Sequence, residues 1–155
     1  MDLTRLISTD RIECNPDIRS KKRVLERLSE LLASASDQES LKIFDKLIER
    51  ERLGSTGLGQ GIALPHGRLG LGDDIIAAFI KLPKAIPFDN VDGQPVDLLF
   101  ALLVPEAKTN DHLQTLAAIA RFFQDENNQK LIRDSQTPEE IFQQLKNNTL
   151  TQQAS

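Results

Sequence analysis

From residue 21 to residue 35 the apolar positions recur three and four apart: Val24, Leu25, Leu28, Leu31, Leu32 and Ala35. That spacing puts them on one side of a helix and predicts an amphipathic α-helix. Ser36-Asp37-Gln38-Glu39 follows, a capping-box pattern that predicts the start of a second helix. Its inward face would carry Leu41, Phe44, Leu47 and Ile48, and it would end near Gly54. Beyond residue 60 the period changes. Residues 62–64, 75–82 and 96–104 are short apolar runs with little alternation, as in strands covered on both faces. Pro83 and Pro105 are expected to stop the latter two, because proline has no donor for a strand ladder.

Helical spacing returns at 111–123, with Leu113, Leu116, Ala117, Ala120 and Phe123 inward. Residues 125–134 predict a short helix. Thr137-Pro138-Glu139-Glu140 then combines a cap, a proline at the first helical position and a glutamate at the third. Ile141, Phe142 and Leu145 would be the buried face of this last helix, and the polar tail from Asn147 is expected to fray. Two helices, a central sheet and more helices, with no linker and no repeat, predict one layered α/β domain over residues 1–155.

Composition narrows the function classes. The chain has 155 residues and a net charge of −4, with hydrophobic residues at 39% and charged residues at 27%, an ordinary balance for a globular protein. No basic block exists, which argues against nucleic acid as a partner. The single cysteine, Cys14, excludes an internal disulfide and fits a reducing compartment. No apolar run is long enough for membrane insertion, and no signal region opens the chain, so the expected location is cytoplasmic.

The candidate chemistry sits between residues 54 and 68. Ile62-Ala63-Leu64-Pro65-His66-Gly67-Arg68 places one of two histidines directly after an apolar run, between a proline and a glycine. Upstream lies Gly54-Ser55-Thr56-Gly57-Leu58-Gly59-Gln60-Gly61, a loop dense in glycine. Phosphate carriage on histidine needs a neutral imidazole with one free lone pair, the other nitrogen fixed as a donor, and hydrogen-bond donors or positive charge around the phosphoryl oxygens. Pro65 stiffens the exit from the predicted strand, and Gly67 removes bulk beside the ring. A structural histidine bonded to a carbonyl is the plainer alternative for the same pattern. Ser55 and Thr56 hydroxyls, with the amides of the loop at Gly57, suit a small anion. Gly54 and Gly59 have the spacing of a phosphate-binding NTPase loop, but Gln60-Gly61 stands where lysine and a hydroxyl residue belong, and the dinucleotide fingerprint fails at Ile62. His112 follows Thr109-Asn110-Asp111, any of which could cap a helix, so it falls in or near a first turn, where the helix dipole disfavours imidazolium and attracts anions. Alone it reads as a surface histidine. Arg50, sixteen positions before His66, alone reads as a solvated helix charge. Two distant histidines and Cys14 give no zinc spacing, and there is no Gly-x-Ser-x-Gly elbow, so no metal and no cofactor is expected.

Glu49-Arg50-Glu51-Arg52-Leu53-Gly54-Ser55-Thr56-Gly57 running into Gly61-Ile62-Ala63-Leu64-Pro65-His66-Gly67 resembles the IIA domains of the fructose/mannitol class of the bacterial phosphotransferase system (PTS EIIA type-2). The Leu-Gly-Ser-Thr-Gly version, with Gln94-Pro95-Val96-Asp97-Leu98-Leu99-Phe100-Ala101-Leu102-Leu103-Val104-Pro105, resembles the nitrogen-regulatory branch of that family. The resemblance implies a mixed, mostly parallel β-sheet sandwiched between α-helices. It implies that His66 is the phosphorylated histidine, that His112 supports the phosphoryl group and that Arg50 lies near the site. The implied donor is a phosphocarrier protein (NPr or HPr), and the implied end-use is regulation of partner proteins, a transporter or a kinase among them. A soluble IIA of a sugar-uptake system, passing phosphate to a IIB domain, is the alternative. Arg68 stands where related chains often carry lysine or another residue, and it has no assigned role.

Overall fold

The structure, a computed structural model, describes residues 2–107 and 109–154, with side chains described for 2–107 and 112–146. Two single 3-10 turns, Leu3–Arg5 and Thr9–Arg11, lead into β1 (Ile12–Cys14). Two helices follow, α1 (Lys21–Ala33) and α2 (Ser40–Leu53), then three short strands, β2 (Gly57–Gly59), β3 (Ile62–Ala63) and β4 (His66–Arg68). The long strands β5 (Ile76–Ile86) and β6 (Val96–Val104) come next, and α3 (Thr109–Gln124), α4 (Glu126–Asp134) and α5 (Pro138–Ala154) close the chain. The six strands form one sheet in the order β1-β5-β6-β3-β2, with β4 also on β6. Three pairings are parallel (β1 with β5, β3 and β4 with β6) and two antiparallel, so the sheet is mixed and mostly parallel.

Alternate residues of the two long strands feed two cores. Ala78, Ile80 and Leu82 of β5 with Leu99, Ala101 and Leu103 of β6 pack under α1 and α2, against Val24, Leu25, Leu28, Leu32, Ile43 and Leu47. Ala77 and Phe79 with Leu98, Phe100, Leu102 and Val104 face the opposite side, against Ile119, Phe122, Phe123, Ile132, Ile141 and Leu145. Both faces are covered, which is why the strands read as unbroken apolar runs. Each Leu, Ile, Val or Phe side chain among them taken wholly from water stabilises the fold by about 1.5–3 kcal/mol.

Local chemistry sets the helix ends. The Ser20 hydroxyl caps α1 by accepting from the Arg23 amide at 3.1 Å. The Ser36-Asp37-Gln38-Glu39 pattern does not cap α2. The Ser36 hydroxyl accepts from the Gln38 amide two residues on and makes a turn between the helices, and α2 begins at Ser40 after an uncapped Glu39. α2 is also rotated from the expected face: Ile43 and Leu47 are buried, Phe44 and Ile48 pack half-buried, and Leu41 is 74% exposed. Ala35 lies beyond the end of α1, exposed. Pro83 does not stop its strand. β5 runs on to Ile86 through an irregularity in its pairing with β6 between Lys81 and Ile86, where no ladder donor is required of Pro83. In α3, Leu113 and Ala117 face outward, while Ile119, Phe122 and Phe123 fill the core. The cap expected from Thr109, Asn110 or Asp111 lies outside the described side chains. The starts of α4 and α5 follow the sequence pattern: Asp125 accepts from the amides of Asn127 and Asn128, and Thr137 from that of Glu140. The helical backbone of α5 continues past Asn147 to Ala154, where a frayed tail is expected from sequence.

The feature that shapes the site is the approach of α2 to β4. Gly67 is the middle residue of β4, and a Cβ placed on it would lie 2.9 Å from the Cβ of Lys46 and 3.3 Å from the Lys46 backbone carbon. Only a residue without a side chain lets the helix lie this close. Replacing Gly67 with Ala is expected to lift α2 and cost about 1–3 kcal/mol, read as a lowered midpoint in thermal or urea unfolding. An unchanged midpoint would contradict this contact.

Candidate functional site

Residues 62–68 are one strand in two pieces, both parallel to β6. The break falls at Leu64-Pro65. The carbonyl of Pro65 accepts from the Leu102 amide at 2.9 Å and so faces β6. Alternation turns the neighbouring carbonyl of Leu64 away from that ladder. Nδ1 of His66 lies 2.8 Å from it. A carbonyl only accepts, so Nδ1 carries the proton and Nε2 keeps a free lone pair. His66 is thus the first residue of β4 rather than part of an exit loop. Its register partner, Leu102, places the ring on the α3 side of the sheet, while Gly67 faces α2.

Side chains from both helical layers converge there. The ring centroids of His66 and His112, in the first turn of α3, are 5.5 Å apart and tilted by 53°. Nε2 of His112 is buried without a hydrogen-bond partner, so one polar atom beside His66 is left for something else to satisfy. From the other layer comes Arg50, in the last turn of α2, which donates to the carbonyl of Gly54 at 2.7 Å. Arg50, Ser55, Thr56, Gly57 and His66 line one cleft of about 320 Å³, walled on its apolar side by Leu58, Leu64, Leu116, Ala117 and Ala120. Burial is the main cause that lowers the His66 pKa below its ordinary value. The Leu64 hydrogen bond acts the other way, and the charges of Arg50 and His112 add to the lowering. His112 is lowered too, by burial and then by Arg68. At neutral pH both rings are therefore uncharged.

The loop hydroxyls are committed elsewhere. Thr56 donates its hydroxyl to Glu51, and its amide lies 3.3 Å from each Glu51 carboxylate oxygen. The Ser55 hydroxyl donates to the carbonyl of Phe88 at 3.2 Å and accepts from the Gly57 amide at 3.1 Å. Gly57 is glycine for space: a Cβ there would meet the Asn90 side chain at 2.3 Å. Sequence reasoning offers Ser55 and Thr56 to an anion; in the structure their hydroxyls hold the loop that walls the cleft. Sequence reasoning also passes over Glu51. Its signal was a carboxylate at the negative end of a helix, between two arginines, where an unpaired one is disfavoured.

The family model described as "Phosphoenolpyruvate-dependent sugar phosphotransferase system, EIIA 2" matches residues 5–148. The chain belongs to this EIIA type-2 family. Among its relatives, a nitrogen regulatory protein of Bradyrhizobium diazoefficiens is 39% identical over 145 residues, covering 94% of this chain and 95% of that protein. One from Escherichia coli K12 is 42% identical over 144 residues, covering 91% and 85%. The crystal structure of nitrogen regulatory protein IIA-Ntr from Neisseria meningitidis superposes with a TM-score of 0.87 at 36% identity, covering 92% of this chain and 98% of that one. This EIIA chain is thus most like the nitrogen-regulatory members. Among its described residues no helix is long and apolar enough to cross a membrane.

The lowered histidines set a pH signature. Above 6.5, the ordinary histidine value, both rings are neutral whether the chain is folded or not. As pH falls below that value the unfolded chain binds protons that the folded chain refuses, so stability is full above 6.5 and declines through the window down to the folded midpoints. A ring-resonance NMR titration is expected to give midpoints below 6.5 for both, and Arg50→Ala is expected to raise that of His66 by removing a neighbouring positive charge. A wild-type His66 midpoint at or above the ordinary value would overturn the electrostatic description.

Proposed function

We propose that this EIIA chain is a phosphohistidine protein of the nitrogen phosphotransferase branch, which accepts a phosphoryl group on His66 from an NPr- or HPr-type phosphocarrier in the cytoplasm and regulates partner proteins according to its phosphorylation state. The observation that carries the reading is the bond from Nδ1 of His66 to the Leu64 carbonyl, which leaves Nε2 as the nucleophile in a cleft shared with Arg50. In the transfer, the Nε2 lone pair attacks phosphorus in line while the bond from phosphorus to the donor's histidine nitrogen breaks and its electron pair returns to the donor ring. Nδ1 keeps its proton throughout, and the Leu64 carbonyl stabilises the positive character that the ring gains. Arg50 offsets charge on the phosphoryl oxygens, and the unpartnered Nε2 of His112, protonated in one neutral tautomer, donates to one of them. The amino end of α3 adds its dipole. Ser55, Thr56 and Gly57 contribute by the shape of their loop.

Regulation follows from charge beside an apolar wall. Leu58, Leu64, Leu116, Ala117 and Ala120 give the cleft an apolar wall. A phosphoryl group adds about −1.5 to −2 charges beside it. A partner seated there through apolar contacts would have to desolvate that charge, so the unphosphorylated form binds such a partner better. The nitrogen-regulatory relatives favour this use over sugar uptake.

Incubation with phosphoenolpyruvate, enzyme I and the carrier, followed by intact mass measurement at alkaline pH, is expected to add one phosphoryl group to the wild type and none to His66→Ala. His112→Ala is expected to fold and to accept phosphate roughly 10²-fold more slowly in a single turnover. An unchanged rate would remove its supporting role. In a pull-down of regulatory partners, the unphosphorylated form is expected to capture more than the phosphorylated form or His66→Asp. Equal capture by all three would sink the switch.

A further inference from the structure

Glu51 stands one residue beyond Arg50, in the last turn of α2, with its side chain only 5% exposed. A carboxylate buried at the negative end of a helix is opposed twice, by lost hydration and by the dipole. Here three donors satisfy it. The amide and hydroxyl of Thr56 both point to it, and Nζ of Lys21, the first residue of α1, lies 3.1 Å away. Lys21 in turn sits 4.4 Å above the Phe88 ring and donates to the Phe88 carbonyl at 3.4 Å. That same carbonyl accepts from the hydroxyl of Ser55. The path closes on itself: Lys21 to Glu51 to Thr56, along the chain to Ser55, then through Phe88 back to Lys21. It ties the starts of α1 and β2 to the end of α2 and leaves the loop little freedom beside His66.

We infer that Glu51 is a positioning residue for phosphoryl transfer, its buried carboxylate holding the Gly54–Gly57 loop, through Thr56 and against Lys21, in the geometry that completes the cleft at His66. The inference rests on the function proposed above. Glu51 does not touch the reacting atoms. It fixes the wall that they pack against and anchors the backbone that Arg50 grips at Gly54. Its charge also favours a proton on His66, opposing Arg50 and His112. Both hydroxyls of the Ser55-Thr56 pair are thereby explained as parts of the loop's frame.

The test is single-turnover transfer from phosphorylated carrier protein to the full chain, with carrier concentration varied. Glu51→Gln keeps the side-chain volume and removes the charge; Thr56→Val keeps the shape and removes the hydroxyl. Each is expected to lower the maximum rate about tenfold, with the half-saturating carrier concentration within about twofold of wild type, because docking is intact and alignment is not. The double variant is expected to fall within about twofold of the slower single one, since both cut the same link. Thr56→Ser is expected to recover most of the loss. Lys21→Met, which leaves the carboxylate buried without its cation, is expected to slow transfer in the same way and serves if Glu51→Gln does not fold. A wild-type maximum rate in Glu51→Gln or Lys21→Met, or losses that multiply in the double variant, would overturn the inference. If the wild type takes up no phosphate at all, the proposed function fails instead. The loop's frame is then read by itself: Glu51→Gln is expected to speed amide hydrogen exchange at residues 55–57, and unchanged exchange there overturns the inference.

Discussion

The contact between Gly67 and Lys46 is the constraint on which the rest of the site depends. The strand that carries His66 has one face towards each helical layer. With glycine next to His66, α2 can settle directly on the backbone of β4, and its last turn then overhangs the histidine. Arg50 and Glu51 lie on that turn, and so does the start of the Gly54–Gly57 loop. A side chain at residue 67 would separate the two layers by about the width of a methyl group and open the cleft from behind.

The histidine itself is prepared by an interruption in secondary structure. Proline at residue 65 contributes no amide, and the ladder to β6 is taken up by its carbonyl and by the residues beyond. The Leu64 carbonyl is left over on the side of the ring. In an unbroken central strand that oxygen would have a neighbouring strand as its partner, and the imidazole would be free to choose its tautomer. Here the backbone chooses it. Burial and Arg50 then keep the ring neutral, so a lone pair is present at the pH of the cell without any general base to create it.

The polar groups around the ring divide into those that face the cleft and those that frame it. Arg50 lines the cleft with His66, and the buried Nε2 of His112, whose ring lies 5.5 Å from that of His66, has no partner. Glu51, Lys21 and the two loop hydroxyls turn away and satisfy one another. The division has a simple origin. A loop of small residues cannot hold its own shape by packing, so it is held by hydrogen bonds to a carboxylate that the fold has already buried.

Much of this was legible along the chain. The long apolar runs became β5 and β6 because both faces of the sheet are covered, and the starts of α4 and α5 followed from Asp125 and the Thr137-Pro138 pair, whose chemistry is local. The stretch around His66 marked the candidate histidine for the same reason: a proline, a histidine and a glycine in a row act on one another without help from distant residues. What the chain alone did not determine was every feature that depends on a partner far away in sequence. The rotation of α2 that exposes Leu41, the passage of β5 through Pro83 and the use of Ser36 in a turn were decided by packing and register. So were the meeting of His112 with His66 and the diversion of the Ser55 and Thr56 hydroxyls to Phe88 and Glu51. A hydrogen bond or a close approach between elements has no periodicity to read. It exists only once the sheet has brought the ends of α2 and α3 to the same edge.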